Sequence, residues 1–310
     1  MRILLHRADG KTEPWIKDFA KYLPEAEIEI WHAGEKCQAC DYAVVWSPPE
    51  AMLAELATVK AIFVTGAGVD ALLKFGDALS AHIPIIRLED AGMAVQMAEY
   101  VTHSVLRYFR RFDEYETQAR AGQWAPLPQH HKEDFAVGVL GMGVLGTRVL
   151  EALAPFGFPL RGWSRTEKNL PGVQCFSGRD GLDTFLRGTR VLVCMLPLTP
   201  DTSNIMDRAN MNKLPEGAYI INVARGAHIA EPDLLTLIKS GHIAAATLDV
   251  FRNEPLPAQH PFWQEPRITI TPHISALTLR RESVQQIAAN IRKTEAGEQV
   301  AGVVNRTLGY

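Results

Sequence analysis

Three residues suited to ionic and acid–base chemistry follow apolar segments in the second half of the sequence. Arg225 comes after YIINVA, Glu254 lies within LDVFRNEP, and His273 ends ITITPH. An arginine presents a planar pair of donors that fits a carboxylate, and a histidine gives or takes a proton near neutral pH. A glutamate beside that histidine would hold it charged and oriented, although Glu254 is also compatible with a loop cap before Pro255. The three residue types suit proton transfer to a substrate that carries a carboxylate.

A glycine-rich turn supplies the second chemical signal. Gly141, Gly143 and Gly146 have G-x-G-x-x-G spacing between the apolar stretch 135–140 and the amphipathic stretch 144–153. The first glycine permits a tight turn, the second lets the backbone approach a pyrophosphate, and the third lets the helix pack on the strand. A strand candidate at 160–163 completes a βαβ unit. The spacing therefore predicts a dinucleotide site, which with the three residues above suits reduction of a 2-oxo acid.

The residues after that second strand indicate which form of the dinucleotide binds. An NAD site normally places Asp or Glu about 20 residues beyond the glycines. Here the stretch contains Ser164, Arg165 and Thr166, and Lys168 adds a further positive charge. Hydroxyls and a guanidinium favour a 2′-phosphate, so NADP(H) is predicted as the preferred cofactor. NAD(H) stays open because Glu167 would accept from a ribose if the turn were shifted.

The composition limits the size and the partners of the protein. A length of 310 residues is enough for two globular domains. The content of 47% hydrophobic and 22% charged residues is that of an ordinary globular protein. A net charge of −3 and the lack of a long basic run argue against nucleic acid or an anionic membrane as the main partner. The first residues, MRILLHRADG, predict a strand and not a signal sequence, and no stretch approaches the length of a membrane span.

The four cysteines predict no disulfide framework and favour a reducing, cytoplasmic setting. Cys37 and Cys40 form a C-x-x-C motif, which is compatible with a redox pair, half of a zinc site or an incidental pair. No second such motif accompanies it, and no metal is predicted.

Alternating apolar and amphipathic segments predict parallel α/β sheets. Before the glycine turn we expect helices at 14–22 and 51–58, a long helix at 94–112 whose buried stripe includes Phe112, an exposed arm at 122–134, and strands at 3–6, 42–46, 61–65 and 83–88. From the turn onward we expect a helix at 276–297 and strands at 135–140, 160–163, 191–195, 219–222, 244–249 and 268–271.

The predicted fold is α/β with two doubly wound parallel-sheet domains, a Rossmann NAD(P)-binding domain inserted into a flavodoxin-like substrate domain. The last helix is too short to form a domain alone, so we expect the chain to return to the first domain. Residues 1–99 and 276–310 are predicted to form the substrate-binding, catalytic domain, and residues 100–275 the dinucleotide-binding domain. Ligands bind outside the carboxyl ends of parallel strands, so the loops after strands are expected to carry the site.

Six collinear motifs resemble the D-isomer-specific 2-hydroxyacid dehydrogenases. They are TGAGVD at 65–70, GMGVLG at 141–146, LPLTPDT at 196–202, NVARG at 222–226, LDVFRNEP at 248–255 and TPH at 271–273. The chain further resembles a bacterial subgroup of this family that reduces glyoxylate and hydroxypyruvate. The residues that carry this resemblance are VWSPP at 45–49, FRRFDEY at 109–115, WSRT at 163–166 and the ending Gly309-Tyr310.

The resemblance implies roles for the chemical residues. Arg225 and the backbone N–H groups of Ala67 and Gly68 would hold the substrate carboxylate, His273 would donate the proton to the developing alkoxide, and Glu254 would keep His273 charged. It also implies a cofactor-binding set made of Gly141, Met142, Gly143, Val144, Leu145, Gly146, Ser164, Arg165, Thr166, Lys168, Leu196, Pro197, Val223, Ala224 and Asp249.

Substrate size and assembly depend on three bulky residues. Trp46 and Met93 would narrow the pocket to two- or three-carbon acids, or would serve as core. Trp124, on the exposed arm, is implied by the resemblance to reach the active site of the partner in a homodimer, and is otherwise compatible with packing on its own subunit. Two other functions stay open: a nucleotide-sensing binding protein without turnover, and a dehydrogenase for a larger 2-hydroxy acid.

Overall fold

The structure, a computed structural model, describes residues 1–35 and 37–309. Tyr310, which belongs to one of the motifs above, lies outside the described residues. The strands are β1 (Arg2–Arg7), β2 (Glu27–Ile30), β3 (Tyr42–Trp46), β4 (Ala61–Val64), β5 (Ile85–Arg87), β6 (Val137–Leu140), β7 (Leu160–Ser164), β8 (Val173–Ser177), β9 (Val191–Cys194), β10 (Ala218–Asn222), β11 (Ile243–Leu248) and β12 (Ile268–Ile270). The α-helices are α1 (Glu13–Tyr22), α2 (Leu53–Leu56), α3 (Asp70–Leu73), α4 (Met93–Phe109), α5 (Phe112–Arg120), α6 (Val144–Leu153), α7 (Gly178–Arg187), α8 (Arg208–Met211), α9 (Glu231–Ser240) and α10 (Arg280–Glu295). Short 3-10 turns lie at Glu50–Met52, Gly76–Ala78, Lys132–Asp134, Ala154–Phe156, Gly226–His228 and Pro261–Gln264.

The chain forms two compact units. The first combines Met1–Met93 with the segment from Thr278 onward, and its parallel sheet has the order β2-β1-β3-β4-β5. This is the strand order of flavodoxin-like folds. Strands β3 and β4 are almost wholly buried, as expected of parallel strands covered on both faces. Helix α10 packs beside α1, where the guanidinium of Arg280 donates to the carboxylate of Asp18.

The second unit, Ala94–Leu277, contains a seven-stranded parallel sheet of order β12-β11-β10-β9-β6-β7-β8. Strand β6 lies between β7 and β9. Strands β7 and β8 therefore extend the sheet on one side of β6, and β9 to β12 extend it on the other, as in a Rossmann fold. The side chains of β6, β9 and β10 are buried throughout, and the carboxyl ends of these neighbouring strands carry the loops that begin at residues 141, 195 and 223.

The predicted helix 94–112 is wrong at its end. Helix α4 stops at Phe109, and Arg111 has a left-handed φ of 59° that turns the chain into the separate helix α5. The Arg111 guanidinium donates to Glu114 and to the carbonyl of Pro128, which holds the turn in place. Phe112, predicted on the buried stripe, is consequently 48% exposed.

Two edge strands were not predicted from the sequence. β2 (EIEI) and β8 (VQCFS) each pair with a single neighbour, and their side chains are largely half-buried. Edge strands need fewer apolar residues than central strands, so their apolar runs are short. In the described part of the chain, none of the helices has the length and hydropathy that crossing a bilayer requires.

Candidate active site

The glycine turn between β6 and α6 has the geometry that its spacing predicts. Gly141 has a φ of +105°, and a Cβ on Gly146 would lie 1.9 Å from the Gly141 carbonyl oxygen, so neither position accepts a larger residue without movement. Around the Cβ position of Gly143, the N-cap of α6, there is no atom within 4 Å. No side chain caps this helix end. The turn is therefore open to an anion at the start of α6.

The segment after β7 lies close to this turn. Lys168 donates from Nζ to the carbonyl oxygen of Met142 at 2.6 Å, which ties the segment to the glycine turn. The hydroxyl of Ser164 donates to the Thr166 carbonyl oxygen at 2.7 Å. Arg165, Thr166 and Lys168 are exposed. The structure thus places positive charge beside the turn, as an NADP site requires.

The remaining members of the predicted cofactor set follow neighbouring strands of the same sheet. Leu196 and Pro197 follow β9, while Val223 and Ala224 follow β10. The side chains of Leu196, Val223 and Ala224 are buried. Backbone atoms are therefore the groups that these positions can offer to a ligand.

Arg225 lies at the start of the 3-10 turn Gly226–His228. Its carbonyl oxygen accepts from Asn222 Nδ2 at 2.9 Å, and its Nη1 donates to the Ala224 carbonyl oxygen at 2.7 Å. A Cβ on Gly226 would lie 1.9 Å from the carbonyl carbon of Phe251, so the loop packs tightly against the segment after β11. The carbonyl group and the guanidinium of Arg225 are therefore both held by bonds within this loop.

Glu254 and His273 form a direct pair. Nδ1 of His273 donates to Oε2 of Glu254 at 2.7 Å, and the other oxygen of Glu254 accepts from the Phe251 N–H at 2.9 Å. Glu254 thus supports its own loop as well as the histidine. Burial acts to raise the pKa of Glu254, but the bonds from His273 and Phe251 and the charge of Arg225 outweigh it, so the pKa is lowered. The carboxylate stays ionised in the neutral range.

Asp249 holds the loop that carries His273. Its fully buried carboxylate accepts from the Thr271 hydroxyl at 2.6 Å and from the N–H groups of Ile274 and Ser275, both at 2.8 Å. The phenol of Tyr100 donates to the Thr271 hydroxyl at 2.6 Å, and burial raises the pKa of Tyr100 to about 12. The predicted contact of Asp249 with cofactor stays a prediction, since these loop bonds already engage both carboxylate oxygens.

The backbone of His273 needs this support. Its φ of 57° is in the left-handed region, which costs a non-glycine residue of order 1 kcal/mol. The His273 N–H donates to the Asp249 carbonyl oxygen at 2.9 Å. Asp249 therefore anchors the histidine loop through both its main chain and its side chain.

In the first unit, Trp46 is the last residue of β3, and Ala67 and Gly68 lie on the loop after β4. The Trp46 ring packs against the backbone of Gly66, where a Cβ would lie 2.5 Å from a ring carbon. The 65–68 loop is anchored by bonds from Thr278 Oγ1 to the Thr65 carbonyl at 3.0 Å and from the Leu88 N–H to the Gly66 carbonyl at 3.1 Å. Ala67 and Gly68 are half-buried in this loop.

Four other residues singled out from the sequence have clear environments. Met93 is only 4% exposed at the start of α4, which favours its role as core. Trp124 is 98% exposed. Cys37 and Cys40 are free thiols, and burial together with Glu29 raises the pKa of Cys40 to about 11. Among residues 1–35 and 37–309, no cluster of three or more His, Cys, Asp or Glu side chains could hold a metal ion.

Sequence reasoning missed the residues that support the site. His228 is fully buried and contacts the main chain of Arg225. Burial acts to lower the pKa of His228, but the Cys194 thiol and the carbonyls of Pro197 and Arg225 raise it above the ordinary value. A single histidine three residues after an arginine matches no recognisable sequence motif. Its contact with the Arg225 main chain is therefore visible only in the folded structure.

Comparison with known proteins places this site in a family. The NAD binding domain of the D-isomer specific 2-hydroxyacid dehydrogenases matches residues 102–275. The chain is 48% identical over 314 aligned residues to glyoxylate/hydroxypyruvate reductase A of Serratia proteamaculans, with 100% of both chains covered.

Solved structures agree in fold over the whole chain. A D-isomer specific 2-hydroxyacid dehydrogenase from Xanthobacter autotrophicus Py2, in complex with NADPH and MES, has a TM-score of 0.94 and 39% identity, covering 100% of this chain and 99% of that one. The NADPH-dependent glyoxylate/hydroxypyruvate reductase of Sinorhizobium meliloti, in complex with NADP and sulfate, has a TM-score of 0.93 and 33% identity with the same coverage. The predicted fold class and family resemblance are confirmed. With its glycine turn, its Arg225 loop and its Glu254–His273 pair, the chain belongs to the D-isomer specific 2-hydroxyacid dehydrogenase family.

Proposed function

We propose that this protein reduces small 2-oxo acids with NADPH, converting glyoxylate to glycolate and hydroxypyruvate to D-glycerate. The observation that carries the proposal is the 2.7 Å pair of His273 and Glu254, which lies in the same unit as Arg225 and the glycine turn. Glyoxylate and hydroxypyruvate are the substrates named for the similar reductases of Serratia proteamaculans and Sinorhizobium meliloti.

The unit Ala94–Leu277 would bind the dinucleotide, and the other unit would contribute to substrate binding. The open N-terminus of α6 at Gly143 suits the pyrophosphate, and Arg165 with Lys168 suits the 2′-phosphate. When bound, NADPH supplies a hydride to the carbonyl carbon of the acid. Two features make the chain fit this cofactor. Positive charge lies beside the glycine turn, and residues 141 and 146 are glycines where a Cβ would clash with the main chain of the turn or of its neighbour.

Arg225 would hold the substrate and polarise its carbonyl group. Arg225 is half-buried, its carbonyl accepts from Asn222 and its Nη1 donates to the Ala224 carbonyl, so the guanidinium is pre-oriented. The backbone N–H groups of Ala67 and Gly68 are proposed as further contacts to the carboxylate. Their loop is anchored within its own unit by bonds from Leu88 and Thr278.

His273 would donate the proton that completes the reduction. Its Nδ1–H is committed to the ionised Glu254, so Nε2 is the nitrogen left to carry a proton to the developing alkoxide. The side chain of His273 is 43% exposed, which allows it to recover a proton from water. One 2-oxo acid, one NADPH and one proton thereby give one 2-hydroxy acid and NADP⁺, and oxidation of the hydroxy acid uses His273 as base.

Turnover by the purified protein tests this function. We expect NADPH consumption with glyoxylate and hydroxypyruvate in a panel that also contains pyruvate and 2-oxoisovalerate, with NADH as the alternative cofactor. If all four acids fail while NADPH binds, a nucleotide-sensing protein without turnover becomes the better account. If 2-oxoisovalerate is strongly preferred, the substrate is larger than proposed.

Arg165→Ala is expected to discriminate between the cofactors. Loss of a charge-assisted phosphate contact should raise the KM for NADPH by ~10-fold or more and leave the KM for NADH nearly unchanged. Steady-state kinetics with each cofactor measure the effect, and Arg187→Ala, an exposed arginine at the end of α7, is the control. An equal loss with both cofactors would contradict the role of Arg165.

We also propose a homodimer in which Trp124 reaches the active site of the partner subunit. The support is the 98% exposure of this large apolar side chain, on a segment between α5 and the 3-10 turn Lys132–Asp134. Light scattering on the purified protein tests the assembly. The cytoplasmic setting predicted from the cysteines stays a prediction.

A further inference from the structure

His228 is buried at the centre of the Arg225 loop. It closes the 3-10 turn Gly226–His228, and none of its surface is exposed. A histidine is seldom completely buried, and a buried ring nitrogen needs a hydrogen-bond partner. Here the partners are main-chain groups of Arg225 and Pro197, together with the Cys194 thiol.

The two ring nitrogens of His228 contact different segments of the chain. The Arg225 carbonyl oxygen already accepts from Asn222 Nδ2 at 2.9 Å and from the His228 N–H at 3.2 Å. Nδ1 of His228 lies 3.2 Å from the Arg225 N–H and 3.0 Å from the Arg225 carbonyl oxygen, so it contacts both main-chain polar groups of that residue. Nε2 lies 3.3 Å from the Pro197 carbonyl oxygen, which also accepts from Thr202 Oγ1 at 2.7 Å. A neutral ring that accepts from the Arg225 N–H carries its proton on Nε2 and donates it to the Pro197 carbonyl.

Main-chain bonds also hold the turn, apart from the imidazole. The Met206 N–H donates to the His228 carbonyl at 2.9 Å, and the Asn204 N–H donates to the Ala227 carbonyl at the same distance. These main-chain bonds hold the turn to the segment 204–206 whatever side chain stands at 228. The ring adds something separate, a bridge from the Arg225 peptide to the loop that follows β9.

We infer that His228 is a positioning residue that fixes the Arg225 peptide against the Leu196–Pro197 segment, and so couples the substrate-binding arginine to the cofactor side of the site. The inference rests on the proposed roles of Arg225 and of the 196–197 segment. Nδ1 contacts the main chain of Arg225, and Nε2 contacts the carbonyl oxygen of Pro197. The two halves of the ring should therefore be separable by substitution.

Two substitutions of similar size separate them. His228→Asn keeps a polar atom at the position of Nδ1 and loses the reach to Pro197, whereas His228→Gln keeps a donor near Nε2 and loses the atom at Nδ1 that contacts the Arg225 main chain. Loss of these contacts loosens the main chain that carries the Arg225 side chain, so His228→Gln should raise the KM for glyoxylate by ~10-fold or more. His228→Asn should keep the KM for glyoxylate within about 3-fold of that of the unchanged protein. The same substitution should raise the Kd for NADPH by ~3- to 10-fold.

The experiment measures kcat, the KM for glyoxylate and, by fluorescence titration, the Kd for NADPH, together with thermal melting of each variant. The same two substitutions at His242 are the control. That histidine bonds through Nε2 to the Met211 carbonyl at 3.1 Å, and it precedes β11 at the amino end of the sheet. Both His242 variants are expected to keep the kinetic constants of the unchanged protein.

Opposite effects of the Asn and Gln substitutions on the two constants would support the inference. If both folded variants keep both constants, or if both lose stability and every constant alike, His228 is a packing residue and the inference is wrong. If the unchanged protein reduces no 2-oxo acid, the proposed function fails by itself. The Kd for NADPH of the two variants then still decides whether His228 supports the Leu196–Pro197 segment.

Discussion

Replacement of His273 by Asn is expected to lower kcat for hydroxypyruvate by ~10²–10⁴-fold while the Kd for NADPH stays unchanged. The alkoxide that forms on reduction needs a proton, and Nε2 of His273 is the donor that the Glu254 pair orients. Asparagine is the informative replacement because residue 273 has a φ of 57°, a conformation that asparagine tolerates better than most residues do. The loop should therefore keep its bonds to Asp249.

The control for this variant is His103→Asn, which changes an exposed histidine of the same unit on α4. Stopped-flow and steady-state rates with hydroxypyruvate give kcat, and fluorescence titration gives the Kd for NADPH. A His273→Asn protein that is folded, binds NADPH and retains more than about a tenth of kcat would show that the proton comes from another group, because removal of a general acid costs more than that.

Replacement of Arg225 by Lys is expected to lower kcat/KM for both proposed acids by ~10²–10³-fold, although the positive charge is kept. A lysine is a point charge and cannot bind a carboxylate through two parallel N–H donors. It also loses the bond from Nη1 to the Ala224 carbonyl, which orients the arginine side chain. Part of the loss should appear in kcat, because the guanidinium also polarises the carbonyl that is being reduced.

Arg252→Lys is the matched control. That arginine lies in a neighbouring loop, and its guanidinium donates to the carbonyl oxygens of Ile229 and Ala227. Its replacement should lower thermal stability and have little effect on kcat/KM. If Arg225→Lys keeps kcat/KM within about 3-fold of the unchanged protein, the carboxylate is bound by other groups.

The parts of the site that sequence predicted are those that the geometry of a parallel sheet brings together. Arg225, Glu254 and His273 follow β10, β11 and β12, and these three strands are neighbours. Because carboxyl ends of parallel strands meet at one edge, residues distant in sequence become close in space. The glycine spacing was equally informative, since Gly141 and Gly146 are sterically required within these six residues and Gly143 leaves the start of α6 open.

The parts that sequence did not predict depend on contacts between distant segments. His228 bonds to Pro197, 31 residues away in sequence, and Tyr100 bonds to Thr271, 171 residues away. Neither pair has a spacing rule. The left-handed turn at Arg111 depends likewise on the carbonyl of Pro128. Support of this kind is decided by tertiary packing, which overrides local propensity.

Isotope transfer gives the most direct test of the central claim, that this protein reduces small 2-oxo acids by hydride transfer from NADPH. The measurement uses NADPH deuterated at the transferred position of nicotinamide C4, hydroxypyruvate and the purified protein, followed by mass spectrometry of the product. The predicted result is D-glycerate with deuterium at C2, formed at a rate that His273→Asn suppresses. Glycerate without deuterium, or no glycerate from a protein that binds NADPH, would contradict the account.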